Sequence, residues 1–141
     1  MNGPSEVIDL VRQWIERAEE DFRTADYTLT MPENCPFGTV CFHSQQCVEK
    51  YIKALLVWRS VAFPKVHDIG ELMQLLPSDV VLPLSADEQE LLTDYAVGTR
   101  YPGDREPIIR TEAEAAVGTA KKVREAIRAC LPKEVVDSEK T

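Results

Sequence analysis

The chain has 141 residues, 44% of them hydrophobic, which is enough for one domain with a proper core and too short for two. Its formal net charge of −8 excludes broad electrostatic capture of nucleic acid, because the phosphate contribution to such binding needs a basic surface. No apolar stretch approaches the roughly 18 residues that span a bilayer, and the opening MNGPSEVIDLVRQW has no basic region followed by an apolar one, so the expectation is a soluble, cytoplasmic protein.

Ile8, Val11, Ile15, Ala18, Phe22, Ala25 and Leu29 recur at alternating spacings of three and four. That is an a/d seam, and it predicts a helix over roughly residues 5 to 31. MPENCP breaks the pattern, and a second helix is predicted from near Phe37 to about Arg59. Phe37, Cys41, Val48, Tyr51, Leu55 and Trp58 form its apolar stripe, and Ile52, Ala54 and Leu56 widen the arc, which makes this helix central.

Asp68-x-x-Glu71, Ser85-x-x-Glu88 and Thr111-x-x-Glu114 each set a capping side chain three residues before a glutamate. They predict a short third helix in DIGELMQLL ending before Pro77, a fourth from about 86 to 99, and a fifth from about 112 to 131. The fourth stops for a physical reason: Pro102 lacks a backbone donor and biases Tyr101 away from the α region, and Gly103-Asp104 is turn chemistry. The fifth carries a face of small residues, with Ala113, Ala116, Val117, Ala120, Val123 and Ile127 able to approach a neighbour closely.

VVLPL at 80 to 84 is too short, and interrupted by proline, to make a sheet. The expected fold class is therefore all-α, an up-and-down bundle of about five helices, with one domain over 1–132 and a polar, frayed tail over 133–141.

Cys35, Cys41, Cys47 and Cys130 contain no C-x-x-C pair and only two histidines accompany them, so a zinc site lacks a ligand set and no metal or cofactor is expected. Cys41 and Cys47 read as small, reduced core residues. Charge is polarised along the chain: residues 50 to 67 contain Lys50, Lys53, Arg59 and Lys65 and no acid, whereas residues 5 to 31 hold seven acids against three bases.

His43, Gln46, Lys50 and Lys53 follow a 3-4-3 spacing and form one polar stripe on the second helix. The stripe is either a solvated face or a cationic shelf for phosphate or an acidic partner. His67 stands just before the Asp68 cap, near the positive end of the third helix, where it serves as a structural hydrogen-bonder or, as a neutral imidazole, a general base. Arg100 reads either as a cation in the last turn of the fourth helix or, with Tyr101, as part of a site: an arginine fork takes phosphate, and a phenol stacks on a base. No nucleophile–histidine–acid order, H-E-x-x-H, P-loop or di-iron pattern is present.

FHSQQCVEKYIKALL at 42 to 56, KVHDIGELMQLL at 65 to 76 and YAVGTRYPGD at 95 to 104 stand in that order on consecutive helices. Together they resemble the HEPN domain, the family named for higher eukaryotes and prokaryotes nucleotide-binding, over roughly residues 8 to 131. The resemblance implies a helical bundle that commonly forms a homodimer and is often encoded beside a minimal nucleotidyltransferase as a toxin–antitoxin-like pair. It also implies a ligand-binding site from Gln46, Lys50, Lys53, His67, Arg100 and Tyr101. Ribonuclease members share an arginine followed four to six residues later by a histidine, and no arginine here has that spacing. The resemblance thus implies a nucleotide-binding and interaction module, the alternative being a metal-independent endoribonuclease that uses Arg100 with His67 or Tyr101.

Overall fold

The computed structural model describes residues 4–96 and 107–137. Six helices follow one another there: α1 (Pro4–Thr28), α2 (Phe37–Trp58), α3 (Ile69–Gln74), α4 (Ala86–Ala96), α5 (Arg110–Cys130) and α6 (Lys133–Val136). No strand occurs among the described residues. The all-α expectation is met.

The seam of α1 is the face that turns inward. Val11, Ile15, Ala18 and Ala25 are buried, and Ile8, Phe22 and Leu29 pack partly covered against them. α2 lies against this face and runs antiparallel to α1, because Glu19 meets Tyr51 while Cys35, at the connecting loop, reaches the Thr28 carbonyl. Arg110 at the start of α5 touches the end of α1, and Arg124 further along touches Glu19, so α5 is antiparallel to α1 and parallel to α2. Glu88 of α4 meets Thr119 and Lys122, and Tyr95 meets Glu112, which makes α4 antiparallel to α5. The four long helices therefore go up and down in turn, with α2 at the centre.

Burial explains why α2 is central. Tyr51, Ile52, Leu55 and Leu56 are fully enclosed, each contributing about 1.5–3 kcal/mol of apolar transfer free energy. At its end the chain turns through Ser60 at φ 61, where Val61 N–H donates to the Leu56 carbonyl (2.9 Å) and Ser60 N–H to the Val57 carbonyl (3.1 Å). These are the two bonds of a Schellman motif, with serine in the left-handed position that glycine fills at lowest cost.

Two of the predicted helix starts are capped as expected. Glu71 N–H donates to Asp68 Oδ1 at 3.0 Å, and Ser85 and Glu88 cap one another reciprocally at 2.9 and 3.1 Å. The Thr111 start is corrected, since α5 begins at Arg110 with extended Ile109 before it and no side-chain cap. A tertiary clamp sets this start: the Arg110 guanidinium donates to the Leu29 and Met31 carbonyls at 2.9 and 2.8 Å and lies over the Phe37 ring. It thereby satisfies carbonyls at the end of α1 that have no helical partner.

Of the segment expected to fray, 133–141, the first part is corrected, and residues 138–141 lie outside the described residues. Residues 133–136 form α6, Val135 is 1% exposed, Arg12 donates to the Glu134 carbonyl and Arg128 to the Val136 carbonyl. Burial of one valine and capture of two carbonyls anchor what composition alone marks as polar tail. Cys41 and Cys47 are buried, as expected. No described helix is long and apolar enough to cross a membrane.

Candidate functional site

His43, Gln46, Lys50 and Lys53 do share one side of α2, but the structure splits them between two carboxylates. Asp21, which α1 presents one position before its seam residue Phe22, gives Oδ1 to His43 Nδ1 (2.7 Å) and Oδ2 to Lys50 Nζ (2.5 Å). Glu49, one helical turn before Lys53, takes Lys53 Nζ at 2.8 Å on Oε2 and Gln45 Nε2 at 2.8 Å on Oε1. The Gln46 side chain in turn donates to Gln45 Oε1 at 2.6 Å.

This arrangement corrects the reading of the stripe as a solvated face or cationic shelf. Lys53 is 6% exposed and Glu49 2%. The ammonium of Lys53 lies 5.5 Å from the Trp14 ring centre and 5.7 Å from that of Phe63, two rings that meet edge to face. Each lysine is thus matched by its own carboxylate, and the local net charge of the two pairs is zero. Spacing on one helix shows which residues are neighbours, but not what the packed helix brings to them.

His67 precedes α3 with its side chain 67% exposed, and its Nδ1 lies 3.0 and 3.1 Å from the two Glu49 oxygens. The loop after α2 therefore returns His67 to the middle of α2. Burial alone pushes the Glu49 carboxyl up, but hydrogen bonds from Lys53, Gln45 and His67 together with the Lys53 charge outweigh it, so the group is held below its ordinary range and is ionised at neutral pH. Arg100 and Tyr101 lie outside the described residues.

A second charged network occupies the other side of the α1–α2 contact. Glu19 and Asp21 are two residues apart and so project about 200° apart around α1. Glu19 accepts from Tyr51 Oη, from Arg124 Nε at 2.5 Å and from Arg124 Nη2 at 3.0 Å, and Arg128 donates to Tyr51 Oη at 3.2 Å. Burial raises the Glu19 carboxyl, and the bonds and charges of Arg124, Tyr51 and Arg128 more than reverse it, leaving it lowered. Burial and Glu19 together push the Tyr51 phenol up, so it stays protonated.

Sequence reasoning missed Asp21, Gln45 and Glu49 in the first network and all of the second. One signal was available: Gln45, Glu49 and Lys53 are spaced at i, i+4 and i+8 inside the most apolar helix, where an acid without a partner is costly. An open cleft between α3 and α4 is lined by Asp68, Asp87, Glu90 and Asp94, a polarity unsuited to phosphate. Among the described residues no cluster of histidine, cysteine and carboxylate side chains is arranged to hold a metal ion.

Comparison with known proteins gives a consistent result. The HEPN domain model matches residues 11–130. A protein of Methanocaldococcus jannaschii named "Putative toxin MJ1304" is 27% identical over 137 residues, covering 86% of this chain and 88% of that protein. The crystal structure of TT1696 from Thermus thermophilus is similar with a TM-score of 0.70 and 30% identity, over 86% of this chain and 98% of that one. The crystal structure of ST0689, an archaeal HEPN homologue, shares the fold with a TM-score of 0.65 at 24% identity, over 85% of this chain and 96% of that one.

Proposed function

We propose, from the premise that this chain belongs to the HEPN domain family, that it is the nucleotide-binding and interaction module of a toxin–antitoxin-like pair, acting as a homodimer with a nucleotidyltransferase partner. The observation that carries this reading is the reach of the likeness to the toxin-named protein, which extends over 88% of that protein and 86% of this chain. A likeness of that extent involves the whole bundle, not one shared helix pair.

The ligand-binding residues in this reading are Gln46, Lys50 and His67 on the half-open side of α2, with Arg100 and Tyr101. Lys53 contributes from behind, because its ammonium is enclosed by Trp14 and Phe63 and committed to Glu49. Lys50 reaches a phosphate only by leaving Asp21, so phosphate recognition falls mainly to the guanidinium of Arg100.

The test is co-expression with the product of the adjacent gene, followed by purification through a tag on one partner. Co-elution of a small nucleotidyltransferase at fixed stoichiometry supports the module, and elution of this chain alone counts against it. Light scattering at micromolar concentration is expected to give twice the chain mass, and a monomer across a tenfold dilution series removes the homodimer. Arg100→Lys and Tyr101→Phe are expected to keep the wild-type melting temperature and to lose nucleotide binding or partner-dependent modification.

The exposed His67 ring on a buried carboxylate favours a second reading, a metal-independent endoribonuclease in which Arg100 stabilises the phosphorane and His67 or Tyr101 moves a proton. Cleavage of a mixed-sequence oligoribonucleotide in the presence of a chelator, lost in His67→Gln, would replace the first reading by this one.

A further inference from the structure

Glu49 is ionised, and an ionised carboxylate has only acceptors to offer. Its oxygens already take Lys53 Nζ and Gln45 Nε2, and His67 Nδ1 lies 3.0 and 3.1 Å from them. The ring nitrogen at that contact must therefore be the donor. In the neutral ring the remaining nitrogen, Nε2, then has no proton, and it lies on the side of the imidazole away from Glu49.

The support behind this geometry is layered. Trp14 and Phe63 confine the Lys53 ammonium, Lys53 fixes Glu49 Oε2, and Glu49 fixes His67. Glu49 is 2% exposed and Lys53 6%, whereas the His67 side chain is 67% exposed. A rigid interior thus ends in one accessible imidazole. His43 repeats the pattern on Asp21 and Lys50 with its side chain only 29% exposed, so the chain contains a more sheltered copy for comparison.

We propose that Glu49 is the positioning residue of this site: it holds His67 as the Nδ1–H tautomer and so presents Nε2 as the acceptor for a hydrogen-bond donor, a hydroxyl or amino group, on the nucleoside portion of a bound nucleotide. The nucleoside part rests on the nucleotide-binding reading above, and the positioning part does not. The class of ligand group follows from charge. Lys50 and Lys53 are each neutralised by a carboxylate, so neither brings an uncompensated positive charge to attract phosphate, whereas an unprotonated imidazole nitrogen accepts from a hydroxyl or amino group.

The experiment reads the ring nitrogens of the full chain directly by long-range proton–nitrogen magnetic resonance at alkaline pH, with His67→Gln to assign the signals. The expected wild-type result for His67 is a protonated Nδ1 and an unprotonated Nε2, and a protonated Nε2 overturns the positioning role. In Glu49→Met/Lys53→Met, which removes both acceptor oxygens together with the cation they neutralise, His67 is expected to lose its Nδ1–H preference. Retention of the wild-type tautomer in this folded double variant also overturns the role.

The ligand arm uses ATP as the probe, with adenosine and inorganic tripolyphosphate as competitors. Adenosine is expected to displace ATP, with tripolyphosphate competing only through Arg100, and the double variant is expected to raise the Kd for adenosine about threefold to tenfold while leaving that for tripolyphosphate unchanged, as loss of one neutral hydrogen bond to the nucleoside does. Competition by tripolyphosphate alone overturns the nucleoside assignment. Absence of any ATP binding to the wild-type chain removes the nucleotide reading with it, while the ring measurement still decides the role of Glu49.

Discussion

The α1–α2 contact has a charged network on each side, and the two differ in what covers them. Beside α5, Glu19 is surrounded by Tyr51, Arg124 and Arg128, with Arg124 also stacked over Phe22. On the other side, Asp21 and Glu49 gather two lysines and both histidines, and what reaches the Glu49–Lys53 pair is the loop after α2, through Phe63 and His67, in place of a long helix. Planar guanidinium groups crossing between long helices act as fasteners. A carboxylate that ends in an exposed imidazole leaves a chemical group at the surface. The same element, an acid between α1 and α2, thus builds a closed joint on one side and a presented side chain on the other.

The largest expected effect breaks the open side. Lys53→Met leaves Glu49 buried without its cation and is expected to cost about 3 kcal/mol in urea denaturation, whereas Glu49→Met/Lys53→Met is expected to recover about half of that loss, the buried Gln45 amide being left without its acceptor. A double variant as unstable as the single one would show that the pair itself, and not the orphaned charge, supplies the stability.

Acid acts on both sides at once. Glu19 and Glu49 are both lowered in the folded chain from an ordinary value of 4.5. The unfolded chain therefore binds more protons in that window, and the stabilisation is present above about pH 4.5 and is lost as pH falls through the lower folded values. Urea midpoints measured downward from neutral pH are expected to decline below about pH 4.5, with a smaller decline in Glu49→Met/Lys53→Met. Midpoints that stay level through the acid range would deny that either carboxylate is held by its partners.

Tyr51→Phe tests the closed side alone. It removes a hydroxyl that donates to Glu19 and accepts from Arg128, and is expected to cost about 1–2 kcal/mol while leaving the His67 ring signals unchanged. A shift in those signals would mean that the two networks are coupled through α2. The smallest change lies outside both: Ser60→Gly relieves the left-handed residue at the end of α2 and is expected to stabilise by about 0.5–1 kcal/mol in the same assay.

Local chemistry made much of the bundle legible. The 3-4 recurrence of Val11, Ile15, Ala18 and Ala25 and the Ser85–Glu88 box are properties of neighbouring residues, and both appear as expected. The start of α5 was not legible, because Arg110 is placed by carbonyls at the end of α1, far away in sequence. The Val135 anchor was hidden by the polar composition around it. At the site, spacing identified His43, Gln46, Lys50 and Lys53 as companions but gave no account of their charge, which depends on Asp21 from another helix and on Glu49 from the adjoining face of α2.

The antiparallel packing of α1 on α2 also has a consequence for the order of assembly. These two helices are adjacent in sequence and share the most extensive contact in the bundle, so closing them requires only the short loop around Asn34, whereas α5 must return across α3 and α4. The hairpin is therefore expected to form in the rate-limiting step, with α5 docking after it. In stopped-flow measurements Ala18→Gly in α1 should chiefly slow folding and Ala120→Gly in α5 should chiefly hasten unfolding, both residues being fully buried. The reverse pattern would place α5 in the nucleus. If the hairpin comes first, Asp21 has met His43 and Lys50 before the second network closes, and the side that presents chemistry is assembled ahead of the side that seals the fold.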